Sequence, residues 1–278
     1  MFDWLSQSNY LIMTVQLVVT LLFVPLLSYQ IFSKTALNYG VGNYPEASKA
    51  VHQYLNKTKT PYWTMVGFLF AFVAVFVIQA IRNETELLNW DDQSGLLIMY
   101  LLAMIPVAAM MLIHKALFNI IKNYAGSKRT ASLRPRKLQH YLSLPLLVLI
   151  AVANIVFVGT IVYFVANPFD GFAGYTNLVG LFVLNGVFFG IIWAVFRDDK
   201  TGNFSNPDHR DAFKRKAIHV NMLILAFALM HISLSIWIAG SELREYKLIT
   251  QSLYLQLTLI IAASMLTLPR TMFKKNSD

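Results

Sequence analysis

Seven stretches of this chain are apolar for about the 20 residues that a helix needs to cross hydrocarbon. They cover residues 11–32, 62–81, 95–114, 142–165, 174–196, 217–239 and 248–268. No Lys, Arg, Asp or Glu interrupts any of them; Arg82, Lys115 and Arg197 stand just past their ends. The pattern predicts an all-α integral membrane protein: a seven-transmembrane-helix bundle forming a single polytopic domain over residues 1–278, without a soluble domain. Nothing breaks the third stretch before Tyr124, so its helix is expected to run on past the bilayer. Pro25, Pro106 and Pro145 are candidate kinks, because proline removes a helical hydrogen bond.

Between the first two spans lies the one clear amphipathic segment, residues 45–57. Ala47, Ala50, Val51, Tyr54 and Leu55 recur at helical spacing behind Pro45, which suits a helix start. The expectation is a short interfacial helix on the membrane surface. Comparable His-containing stretches precede the fourth and sixth spans, which hints at an internal repeat.

Charge sets the orientation. The first, third and fifth loops and the C-terminal tail carry 4, 7, 6 and 3 Lys or Arg; the N-terminus and the other loops carry 0, 1, 0 and 2. Basic residues mark the cytoplasmic side, so the N-terminus is expected outside and the C-terminus inside. A short N-terminus without Lys or Arg can itself cross ahead of the first span and needs no cleavable signal. The expected location is a bacterial inner (plasma) membrane. The net charge of +9 is then sidedness. It is also a contact for anionic headgroups, above all at the third loop from Lys128 to Lys137. Nucleic acid is not an expected partner. Only 13% of the 278 residues are charged and none is cysteine, which removes disulfides and thiolate chemistry.

A charge-free core excludes several functions. The seventh span has no Lys for a retinal Schiff base. No span holds a carboxylate relay or a voltage-sensing Arg. The polar groups left at mid-depth are neutral: Asn154, Asn185, Thr258 and His231, one on each of the last four spans, with Ser233 and Ser235 beside His231. Such groups either glue helices together or line a path for a small neutral solute or ion. His231 is the deep titratable group among them. Gly186 and Gly190 form a small-xxx-small face on the fifth span, suited to a close helix contact within the chain or in a homo-oligomer. Four other histidines, His52, His114, His140 and His219, gather towards the expected inner face, where imidazoles can ligate a metal or the b-type haem of an electron-transfer membrane subunit. No pair of them has metal spacing on one helix, and no metal site is assigned.

Two inner loops carry a local likeness to a known family. The runs Val41-Gly-Asn-Tyr-Pro45 through Asn56 and Asn206-Pro-Asp-His-Arg210 through Asn221 resemble the first cytosolic loop of the MAPEG membrane proteins, which act in eicosanoid and glutathione metabolism. The resemblance covers residues 41–56 and 206–221. Lys59 and Ile224 stand where that family places a glutamate, and the family is four-helical. It implies a membrane enzyme or a lipid- or glutathione-binding protein, its inner-face site around His52, Asn56, Arg215, His219 and Asn221, with His114 and His140 nearby.

The orientation is directly testable. A green fluorescent protein fused after Asp278 should fluoresce while alkaline phosphatase at the same place stays inactive; the reverse pattern would overturn the assignment.

Overall fold

The computed structural model describes residues 11–12, 14–83, 94–124, 138–198, 207–241, 243 and 246–268. These residues are helical almost throughout, without a strand among them. Among the described residues seven helices are long and apolar enough to cross a membrane, the architecture of an integral, polytopic membrane protein. The first is α1 (Thr14–Val41). The others are α2 (Ser48–Arg82), α3 (Ser94–Lys122), α4 (Leu144–Ala166), α5 (Asn177–Arg197), α6 (Pro207–Gly240) and α7 (Lys247–Ala263), the last closed by a 3₁₀ turn, Ser264–Leu266.

Each helix matches one apolar stretch, and the differences lie at the ends. The segment over 45–57 does not form a separate helix. A 3₁₀ turn, Pro45–Ala47, leads straight into α2. The winding continues without a break, so the amphipathic stretch is the first part of the crossing helix. α2 has 35 residues, far more than the ~20 that cross hydrocarbon. α6 is extended in the same way, to 34 residues. α3 continues to Lys122, as its unbroken sequence requires.

The prolines behave individually. Pro145 is no kink, because it occupies the first turn of α4, where its missing N–H has no helical carbonyl to serve. Pro106 sits inside α3 and Pro61 inside α2. Pro25 is preceded by a stretch of π winding, Val19–Phe23, in which the Val24 N–H reaches back to the Val19 carbonyl. One extra residue in that turn accommodates the ring that an unbroken α-helix would drive into the preceding carbonyl. A second π stretch, Ala36–Val41, ends α1 ahead of Tyr44 and Pro45.

The chain divides into two compact units. The first gathers α1, α2, α3, the start of α6 up to Phe213, and α7 from Leu255 onward. Its core is built from Phe32, Tyr39, Val51, Tyr62, Leu117 and Leu266 with their neighbours. Two tyrosines of α2 tie it together: Tyr62 Oη donates to the Pro25 carbonyl at 3.2 Å and Tyr54 Oη to the Ile113 carbonyl at 3.1 Å. Gly40 lets the end of α1 come in close, since a β-carbon there would lie 3.1 Å from Ile121 Cδ1 and 3.3 Å from Val51 Cγ2.

The second unit gathers α4, α5, α6 from Lys214 and α7 up to Tyr254. Ala153, Phe157, Ile161, Leu181, Leu225 and Leu229 are its core. The α4–α5 connection turns on Gly171 and Gly174, both at positive φ, a left-handed conformation that favours glycine. At one end of α6, Trp237 stacks on Tyr163 with centroids 4.8 Å apart and donates its Nε1–H to Thr160 Oγ1 at 3.1 Å. Beside it a β-carbon on Gly240 would overlap the rings of Phe164 and Phe169, so only glycine fits there.

Substitution should therefore separate two glycines of this unit. Gly240→Leu should destabilise the protein by about 1–3 kcal/mol, the usual effect of overpacking. Gly186→Leu should be neutral, because no described atom outside its own helix lies within 4 Å of its β position. Melting temperatures of the purified variants in detergent decide it; equal shifts would contradict the packing.

Candidate functional site

The mid-depth polar groups predicted from the sequence divide between the units. Asn154, Asn185 and His231 belong to the second; Thr258 belongs to the first. The structure brings the two asparagines together. Asn185 Nδ2 donates to Asn154 Oδ1 at 3.0 Å and to the Leu181 carbonyl at 2.9 Å. Asn154 Nδ2 donates to the Ile150 carbonyl at 2.8 Å. A carboxamide has two N–H donors and a carbonyl acceptor. Asn185 has thus used both donors and kept its Oδ1, while Asn154 has kept one N–H. Half-buried on α4 and α5, the pair keeps one donor and one acceptor for another molecule.

His231 lies on α6, its ring parallel to that of Tyr254 on α7 with centroids 4.0 Å apart. Its Nε2 is 3.5 Å from Ser235 Oγ, one turn along the same helix. Ser233 is buried and donates to the Leu229 carbonyl. The sequence showed the histidine and serines; Tyr254, the stacking partner, was not visible in any pattern within a single helix. Thr258 is 2% exposed, and its Oγ1 has no hydrogen-bond partner among the described residues.

The residues expected at the inner face are divided between the two units. His52, Asn56 and His114 lie in the first unit; His140, Arg215, His219 and Asn221 lie in the second. His52 is exposed and hydrogen-bonds the Ser48 carbonyl of its own helix at 2.8 Å. Asn56, His140 and Arg215 are exposed. Asn221 bonds the Ala217 carbonyl of its own turn, and His219 bonds the backbone at Tyr141. His114 is buried, edge-on to Phe118 at 4.8 Å and to Phe32 at 6.1 Å. Among the described residues no group of three or more His, Asp or Glu converges as a metal site. The basic stretch over residues 128–137 lies outside the described residues.

Two further side chains hold helix ends. Lys214, 1% exposed, donates its ammonium to the Phe196 carbonyl at 3.0 Å. Phe196 is in the last turn of α5, whose carbonyls lack helical N–H partners and carry partial negative charge. In the first unit Tyr39 Oη and His209 Nδ1 are 3.1 Å apart, joining the end of α1 to the start of α6. Neither pairing has a sequence signature, because each joins residues from different helices.

No family model, curated protein or solved structure matches this chain.

The asparagine pair can be measured as a unit. A double-mutant cycle of Asn154→Leu and Asn185→Leu, read by unfolding in mixed detergent, should give a coupling of about 0.6 kcal/mol, typical of hydrogen bonds between membrane helices. A coupling of zero would mean that the pair does not form.

Proposed function

We propose that this is a bacterial inner-membrane protein, N-terminus outside and C-terminus inside, that binds and passes small uncharged solutes with hydrogen-bonding groups. The Asn154–Asn185 pair carries this reading. Its free N–H and free carbonyl oxygen suit a solute that both accepts and donates, such as an amide or a polyol. The solute takes over the two bonds that water would otherwise make, which lowers the penalty for leaving water. His231 and Ser235 on α6 supply further neutral groups in the same unit.

The charge pattern selects against ions. Residues 144–166, 174–196, 217–240 and 248–268 hold no Lys, Arg, Asp or Glu. An ion entering there would shed its hydration without meeting an opposite charge. The glue role of the pair is compatible with this reading: the bonds to Leu181 and Ile150 fix the two carboxamides, and fixed groups make a preorganised site.

Reconstitution tests the proposal. Proteoliposomes should take up glycerol or urea faster than protein-free vesicles while remaining tight to potassium. Asn185→Leu and His231→Ala should each lower uptake by roughly tenfold, the effect of removing one or two hydrogen bonds worth about 1 kcal/mol each. Uptake equal to that of empty vesicles, or unchanged in both variants, would overturn it.

A further inference from the structure

Of the buried polar atoms that lack a hydrogen-bond partner among the described residues, those of Gln16, Ser28 and Thr258 lie in the first unit and those of His219 and Gln251 in the second. Gln16 on α1 is 0% exposed, and neither its Nε2 nor its Oε1 has a hydrogen-bond partner among the described residues. Ser28 on the same helix is 0% exposed with an unpartnered Oγ, and the buried Oγ1 of Thr258 on α7 is unpartnered too. A hydroxyl in a helix can turn back to the carbonyl four residues earlier. Thr20 does so, donating to the Gln16 carbonyl at 2.7 Å, and Ser233 does so in the other unit. Ser28 and Thr258 decline that bond. The large majority of buried polar side-chain atoms have a partner, so three such side chains in one unit ask for a common cause.

Their placement supplies it. In an unbroken α-helix each residue turns about 100°, which would set Ser28 about 120° around the axis from Gln16. The π stretch Val19–Phe23 absorbs one residue between them. Taking out one step brings Gln16, Thr20 and Ser28 to within about 40° of one another. π turns of this kind are frequent at functional sites. Thr258 lies on α7 in the same unit. Leu266 packs in one core cluster with Phe32 and Ala36; α1 and α7, both odd-numbered crossings, run the same way. Eight residues back from Ala36 and from Leu266 stand Ser28 and Thr258, each about 12 Å along its helix from a residue of that cluster.

We propose that the first unit encloses a polar site along α1, formed by Gln16, Thr20 and Ser28, to which Thr258 of α7 in the same unit belongs. Its occupant is a small, neutral, hydrogen-bonding molecule: water in file, or a low-molecular-weight polyol. Neutrality follows from the spans that build this unit's core, since residues 11–32, 62–81, 95–114 and 248–268 hold no Lys, Arg, Asp or Glu. The site stands independently of the asparagine pair, and of whether any solute crosses the second unit.

The chain contains no cysteine, so single cysteines report without background. Ser28→Cys and Thr258→Cys would be reconstituted in vesicles and exposed to methyl methanethiosulfonate, a small neutral reagent that consumes the thiolate. Leu21→Cys and Leu259→Cys, both at fully buried positions on the same helices, are the dry controls. A thiol in contact with water ionises far more readily than one in apolar packing, so the first pair should react at least about tenfold faster than the second. Glycerol at high concentration should slow that reaction if a polyol is the occupant and leave it unchanged if water is. Reaction rates of all four within about twofold of one another would overturn the site. Cysteine is close to serine in size, and elution of each variant at the wild-type position shows that it has folded. Glycerol uptake by the same vesicles reads the second-unit site separately.

Discussion

Inside a bilayer no water is at hand to satisfy a polar group, and this constraint decides most of what the structure does. Backbone groups answer it by forming helices over nearly every described residue. Side chains answer it one at a time. Tyr54 and Tyr62 reach carbonyls on neighbouring helices, Trp237 finds Thr160, and the asparagines bond each other and their own turns. Lys214 is buried with its ammonium on the Phe196 carbonyl, at the end of α5 where carbonyls can hold a cation. Where a group goes unanswered, as at Gln16, the exception is informative because the rule is strict.

The same constraint explains what could be read from the residues alone. Charge is so costly in hydrocarbon that its absence marks spans, and all seven were visible as uninterrupted apolar runs. Helix ends were less visible. Hydropathy falls at the bilayer edge but hydrogen bonding does not, so α2 and α6 run well past the apolar windows. The amphipathic stretch around His52 looked like a separate element because the composition changes at Pro61. A helix tolerates that proline, and the backbone continues.

Site residues were legible only in part. Asn154 and Asn185 stood out as amides in apolar runs at similar depth, and they do meet. The histidines grouped by expected side are divided between the two units, and a shared side says nothing of distance within the membrane plane. Gln16 and Ser28 went unnoticed for another reason: without the π stretch their positions fall on different faces of an ideal helix. Only the altered winding ahead of Pro25 sets them on one stripe, and that winding has no separate sequence signal beyond the proline.

The lengths of α4 and α5 bear on the membrane itself. They have 23 and 21 residues, enough to cross one hydrocarbon layer with little to spare, whereas α2 and α6 have whole turns in excess. A thicker bilayer would cover the polar termini of the short helices, Asn167 and Arg197; a thinner one would bare apolar turns or force a tilt. The long helices can shift along the membrane normal at little penalty, but the short pair cannot. Lipid chain length is therefore a physical setting on the helices that bear the asparagine pair, with its mildest strain in a bilayer of ordinary thickness.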